Sequence, residues 1–116
     1  MAFTDLEIAE HSAVIEKLFW SKRRPPLRIR EMMREGQRFT AHSIELFFVR
    51  PVWDDPTRHT EEAIAKLTFV RTTGVWRIFW QRADGKWHRY APHPEAASLT
   101  EALKVVDHDA NACFFG

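Results

Sequence analysis

Apolar residues Ile8, Ile15, Leu18 and Phe19 recur near helical spacing in the first twenty positions, with His11 on or beside the same face. The run Phe3-Thr4-Asp5-Leu6-Glu7-Ile8 supplies the start of that helix: Thr4 can cap the backbone, Glu7 can reach back to it, and Phe3 can staple onto Ile8. The pattern predicts a helix to about Trp20, ended by Arg24-Pro25-Pro26, because two prolines remove backbone donors and force the preceding residue out of the α region. Beyond them the period falls to two. Residues 27–35, rich in Arg and Met, read as a strand followed by a turn at Glu35-Gly36-Gln37. Residues 42–50 read as another, with Ile44, Leu46 and Phe48 alternating with Ser43, Glu45 and Phe47. Pro51 stops it, and residues 52–61, with Asp54-Asp55-Pro56 inside, are predicted to form the one long loop.

Residues 63–71 and 75–82 read as two strands joined by Thr72-Thr73-Gly74, and Asp84-Gly85 marks a hairpin into residues 86–90. Taken as a two-residue loop, Asp84-Gly85 sets Arg82 opposite Trp87, Trp80 opposite Arg89 and Phe79 opposite Tyr90. Alternation then places Trp76, Ile78, Trp80, Arg82, Trp87 and Arg89 on one face, and Val75, Arg77, Phe79, Gln81, His88 and Tyr90 on the other. Pro92-His93-Pro94 is a rigid connector. Ser98-Leu99-Thr100-Glu101 is a second capping box, opening a helix with Leu99, Ala102, Leu103 and Val106 at core spacing and an end near Asp109. The apolar tail Cys113-Phe114-Phe115-Gly116 is expected to dock on the sheet or against a partner. These elements make an α+β fold over residues 1–116 as a single domain: an N-terminal helix, a four- or five-stranded antiparallel meander that can bend strongly into a barrel-like shape, and a C-terminal helix.

Composition fits that picture. With 116 residues, 45% hydrophobic and 13% aromatic, the chain can bury one core and is too apolar for a disordered segment. The single cysteine, Cys113, excludes an intramolecular disulfide and a Cys-based zinc site. The acidic first residues lack the basic region and unbroken apolar run of an export signal, and no apolar stretch approaches the roughly 20 residues of a membrane span, so a cytoplasmic protein is expected. Net charge is only +1 but unevenly spread. Residues 21–38 hold seven cations, among them Arg28 and Arg30, against Glu31 and Glu35; residues 74–92 hold Arg77, Arg82, Lys86 and Arg89 against Asp84. Gathered on one face these blocks form an anion-binding surface; dispersed, they are ordinary solvated surface.

The stretches Val49-Arg50-Pro51-Val52-Trp53, Ile64-Ala65-Lys66, residues 75–82, Lys86-Trp87-His88-Arg89-Tyr90 and Ala112-Cys113-Phe114-Phe115-Gly116 resemble, in this order, a family of small bacterial proteins catalogued as domain of unknown function 3024. The resemblance runs from the Pro25-Pro26 region to the last residue and is strongest over residues 76–90 and the terminal Phe-Phe-Gly. It implies no activity, cofactor or catalytic residue.

Three chemistries remain to weigh. The hairpin carrying Trp76, Trp80 and Trp87 among Arg77, Lys86, His88, Arg89 and Tyr90, with Arg28 and Arg30 elsewhere, has flat rings for stacking bases and cations for phosphates, so a non-enzymatic module binding nucleic acid is the leading expectation. Its bland counterpart is that the Trp face is core. Asp54, Asp55, Glu61 and Glu62, with His59 near, offer carboxylates for a divalent metal and hence phosphodiester hydrolysis. Against that, the acidic residue expected two positions before Lys66 is Ile64, and turn chemistry accounts for the aspartates, so no metal or cofactor is expected. The third is a homo-oligomer or adaptor joined through Phe114-Phe115. His88 with His93, the run Asp107-His108-Asp109, and Cys113 read as structural or surface groups, and neither a Gly-rich phosphate loop nor a serine-hydrolase elbow occurs.

Overall fold

A computed structural model describes residues 2–115. Helix α1 (Asp5–Ile15) begins at the capping box read from sequence, the Thr4 hydroxyl accepting from Glu7 N–H while the Glu7 carboxylate accepts from Thr4 N–H. It does not continue as plain α-helix. Residues Glu16–Trp20 form a π-helical turn in which Ser21 N–H reaches back five residues to the Glu16 carbonyl, and Ser21–Arg23 (α2) close the rod. The wider turn lets Ile15, Phe19 and Trp20 all bury, which a strict 3.6-residue period does not do for adjacent Phe19 and Trp20.

Residues 27–35 are not a strand. Leu27–Ile29 make a short 3-10 turn, and strand β1 is Arg34–Thr40, running straight through the predicted turn at Gly36. Gly36 stands in the strand because the Phe47 ring occupies its side-chain space: a Cβ there would lie 2.3 Å from the ring. The chain turns instead at Ala41, which takes a positive φ, and enters β2 (Ser43–Val52). The predicted long loop is also overturned. β3 spans Asp55–Val70 and pairs with β2 as far as Val52 opposite Asp55, so only Trp53 and Asp54 lie between them. Every residue from 56 to 62 is exposed, and an arm wet on both faces lacks the alternation that reveals a strand in sequence.

β4 (Val75–Gln81), β5 (Trp87–Arg89) and β6 (Glu95–Ala96) complete an open antiparallel sheet in the order β1-β2-β3-β4-β5, with β6 beside β5 on the same edge of β4. β1 and β5 are its two ends and do not pair, so the sheet is not a barrel. Helix α3 (Leu99–His108) starts at Ser98, whose hydroxyl accepts from Glu101 N–H; the Glu101 carboxylate accepts from Ala97 N–H. α3 buries Leu99, Ala102, Leu103 and Val106, the four residues its spacing selects.

The helices cover one face of the sheet. Trp76 packs against Phe3 and His11, and Trp20 against Phe48, while the Trp20 indole N–H donates to Gln37 at 3.0 Å. Burial pushes the His11 imidazole below its ordinary range, against the pull of Glu7 and Glu10. The tail folds back over this core: Phe114 stacks obliquely on buried Tyr90, Phe115 stacks on Phe19, and Arg23 lies 4.0 Å over Phe115. Asp109, in the left-handed region at the end of α3, fixes the tail by accepting from the N–H groups of Phe114 and Phe115. Gly116 lies outside the described residues. No helix among them is long and apolar enough to cross a membrane.

Candidate nucleic-acid interface on the uncovered sheet face

The hairpin register decides which side chains face outward. Gly85 takes a positive φ, its N–H donates to the Arg82 carbonyl, and Arg82 N–H donates to the Lys86 carbonyl. This is a three-residue loop with a glycine bulge rather than a two-residue turn. Gln81 therefore pairs with Trp87, Trp80 with His88 and Phe79 with Arg89, one residue away from the predicted register. One step inverts a strand. Trp87 and Arg89 move to the outer face beside Gln81 and Phe79, whereas His88 and Tyr90 move to the helix-covered face. Trp76, Ile78 and Trp80 face the core, so Trp76 and Trp80 follow the bland reading and do not stack bases; Arg82 lies over the Trp80 ring.

The outer face is built in cross-strand rows. Arg38, Glu45, Lys66, Phe79 and Arg89 oppose one another from β1 across to β5. Thr40, Ser43, Thr68, Arg77 and Glu95 form the next row, tied by a 2.8 Å hydrogen bond between the Ser43 and Thr68 hydroxyls. Phe47 lies beside the first row beneath the Arg38 guanidinium, and Lys66 Nζ sits 5.7 Å from the Phe79 ring centre. A groove of about 90 Å³ separates Phe47 from Trp87, with Glu45, Glu61 and Gln81 among its walls. Arg77 has no ion-pair partner among the described residues, and Arg89 has only Glu95 at 3.5 Å.

The tentative residues thus divide. Arg77 and Arg89 stand together on the outer face, with Lys86 exposed in the adjoining hairpin. His88 is turned away and its ring nitrogen lies 2.9 Å from Asp84. That carboxyl is held low, first by Lys86 N–H and then by His88. Tyr90 is buried in the core. Arg28 lies in the 3-10 turn before β1 and Arg30 caps that turn, at the opposite end of the sheet. The basic block of residues 21–38 is largely spent on ion pairs. Arg24 bridges Glu16 and Glu35, Arg23 and Lys22 meet Asp107, Arg30 meets Glu35, and Arg38 meets Glu61 and Glu45. Sequence reading missed Lys66, Phe47 and Arg38 as members of the face; Phe47 could have been found from its place between core-facing Leu46 and Phe48.

The acidic segment does not converge. Asp55 accepts from the amide and hydroxyl of Thr57, as turn chemistry predicts, while Glu61 is bound by Arg38 and Glu62 by Arg50. Glu61 and Glu62 are strand neighbours and point to opposite faces. Among the described residues no three His, Cys, Asp or Glu side chains are grouped to hold a metal ion. The Cys113 thiol is raised by burial and by the Asp109 carboxylate, the reverse of nucleophile activation.

A one-sided antiparallel sheet backed by two helices, its open face set with aromatic rings and cations, defines a class of small α+β proteins with an exposed sheet surface. A family model described as domain of unknown function (DUF3024) matches residues 3–116, and the chain belongs to that family. No curated protein and no solved structure matches it.

Proposed function

We propose that this protein is a cytoplasmic, non-enzymatic binding module that takes single-stranded nucleic acid on the uncovered face of its sheet. The observation that supports the reading is the juxtaposition on that face of Trp87 and Phe79 with Arg77, Lys66 and Arg89. Bases stack on rings of any sequence, and cations spaced along a strand pair follow a phosphate backbone. An open face suits an unpaired strand, whose bases can splay; a duplex hides them. Phe47 adds a third ring to that face beneath Arg38, whereas Phe39, Phe48, Phe69, Trp76 and Trp80 are committed to the core.

The test is fluorescence anisotropy of a labelled twelve-nucleotide oligouridylate titrated with protein across a salt series. With three phosphate contacts the log–log salt slope is about −2. Arg77→Gln and Arg89→Gln each remove about 0.7 from its magnitude. Absence of binding at low ionic strength, by protein verified as folded, overturns the proposal.

A further inference from the structure

A second hollow lies on the helix-covered side, apart from the open sheet face. We infer that it is a binding site for a small apolar monocarboxylate, a molecule of one or two rings carrying a single carboxylate. The cavity, of about 280 Å³, opens between α3 and the connector that follows β5. Its apolar wall is the buried Tyr90 together with Pro92 and Val105. Lys104 and His108, four residues apart on α3 and so on one face, stand on one side, and His93 enters from the connector.

The charge around this hollow is one-sided. Among the described residues no acidic side chain lines it. The carboxylates of α3 and its cap that could neutralise the three basic groups are engaged elsewhere: Glu101 on Ala97 N–H, Asp107 on Arg23 and Lys22, and Asp109 on the tail amides of Phe114 and Phe115. Among the described residues the side chains of Lys104, His93 and His108 have no hydrogen-bond or ion-pair partner. His108 also meets the dipole at the end of its helix, while Lys104 and His93 stand solvent-exposed at the mouth of the hollow.

An apolar pocket with a few convergent polar groups is the ordinary form of a small-ligand site, and this one lies just below the usual volume range of roughly 300 to 1,000 Å³, which limits the ligand to one or two rings. The charge of the ligand follows from the backbone. The site adjoins the C-terminal end of α3, whose carbonyls disfavour any anion and a doubly charged one most, and it lacks the helix N-terminus that favours phosphate, so the side chains alone hold the charge. A carboxylate, singly charged and spread over two oxygens, fits the three side-chain donors; the ring system of the ligand covers Tyr90 and Val105.

Amide chemical-shift titration of the full chain with 1-naphthoate, beside its neutral counterpart 1-naphthylmethanol, tests the inference. Naphthoate at up to about 10 mM is expected to shift residues 93, 104, 105 and 108, and to bind at least about tenfold more tightly than the alcohol. Lys104→Gln and His93→Gln, both at exposed positions, are each expected to weaken naphthoate about three- to tenfold without changing the melting temperature. Arg77→Gln on the open sheet face is expected to leave it unchanged. The inference is overturned by an absence of shifts at these residues, by equal binding of the alcohol, or by unchanged affinity in both variants.

Discussion

Substituting Gly36 by Ala inverts an ordinary expectation. Gly→Ala inside a strand removes unfolded-chain entropy and, where the backbone permits, stabilises by about 0.4 to 1 kcal/mol. The backbone of Gly36 permits it, since its φ is not positive. Space does not. The added methyl would lie 2.3 Å from Phe47 Cε2 and 2.8 Å from Cζ, and the ring is pinned between the strand and the Arg38 guanidinium. Phe47 is 8% exposed, so relief requires the ring to swing outward into water. Re-exposing about 100 Å² of ring costs about 2.5 kcal/mol, from which the entropy gain subtracts, leaving a net destabilisation of about 1.5 to 2 kcal/mol. For a chain of 116 residues that lowers Tm by about 5 to 9 °C. Urea denaturation of G36A, F47A and the double variant measures it as a cycle, in which the Gly36 change becomes neutral or stabilising once the ring is absent. A G36A protein as stable as the parent, or one destabilised equally in the F47A background, refutes the reasoning.

Asp109→Ala removes the acceptor of both tail amides and an amino acid tolerant of positive φ, so an equilibrium denaturation experiment should show a loss of about 2 to 3 kcal/mol, with Asp109→Asn losing less. Arg23→Lys keeps the charge but loses the planar contact with Phe115 and the forked donation to Asp107, a loss of about 1 kcal/mol by the same assay. Acid sensitivity has two separable steps. His11 titrates below its ordinary 6.5, so its contribution is present above that value and is lost as pH falls below it; Gln at this position removes the step. Glu7 is held at about 2, first by Arg71 and then by Thr4 N–H, so its contribution is present above 4.5 and is lost as pH falls towards 2; Arg71→Gln weakens that lower step in a pH-resolved melting series.

The two capping boxes were readable because caps are local: Thr4 with Glu7, and Ser98 with Glu101, need only a four-residue window. The core face of α3 was readable for the same reason. Features set by partners distant in sequence were not. Gly36 reads as a turn until Phe47, eleven residues on, is known to fill its space. The β2–β3 arm reads as a loop because solvent on both faces erases alternation, and the π turn is dictated by two adjacent rings competing for one core. Arg77 was legible as part of the open face from alternation alone. Trp87 and Arg89 were assigned to the wrong side because a dipeptide that favours a two-residue hairpin here closes a three-residue one. The cations of residues 21–38 looked available because their carboxylates come from elsewhere in the chain, Asp107 and Glu61 among them.

The most direct test compares Trp87→Ala with Arg28→Gln in oligouridylate binding at low salt, each protein checked for an unchanged fold. Trp87 lies on the open face and Arg28 at the far end of the sheet. Loss of one stacked base is worth about 1 to 3 kcal/mol, a weakening of roughly 5- to 150-fold in the Trp87 variant, with Arg28→Gln within about twofold of the parent. Equal affinities for the Trp87 variant and the parent, or a loss confined to Arg28, contradict the assignment of the open sheet face as the nucleic-acid surface.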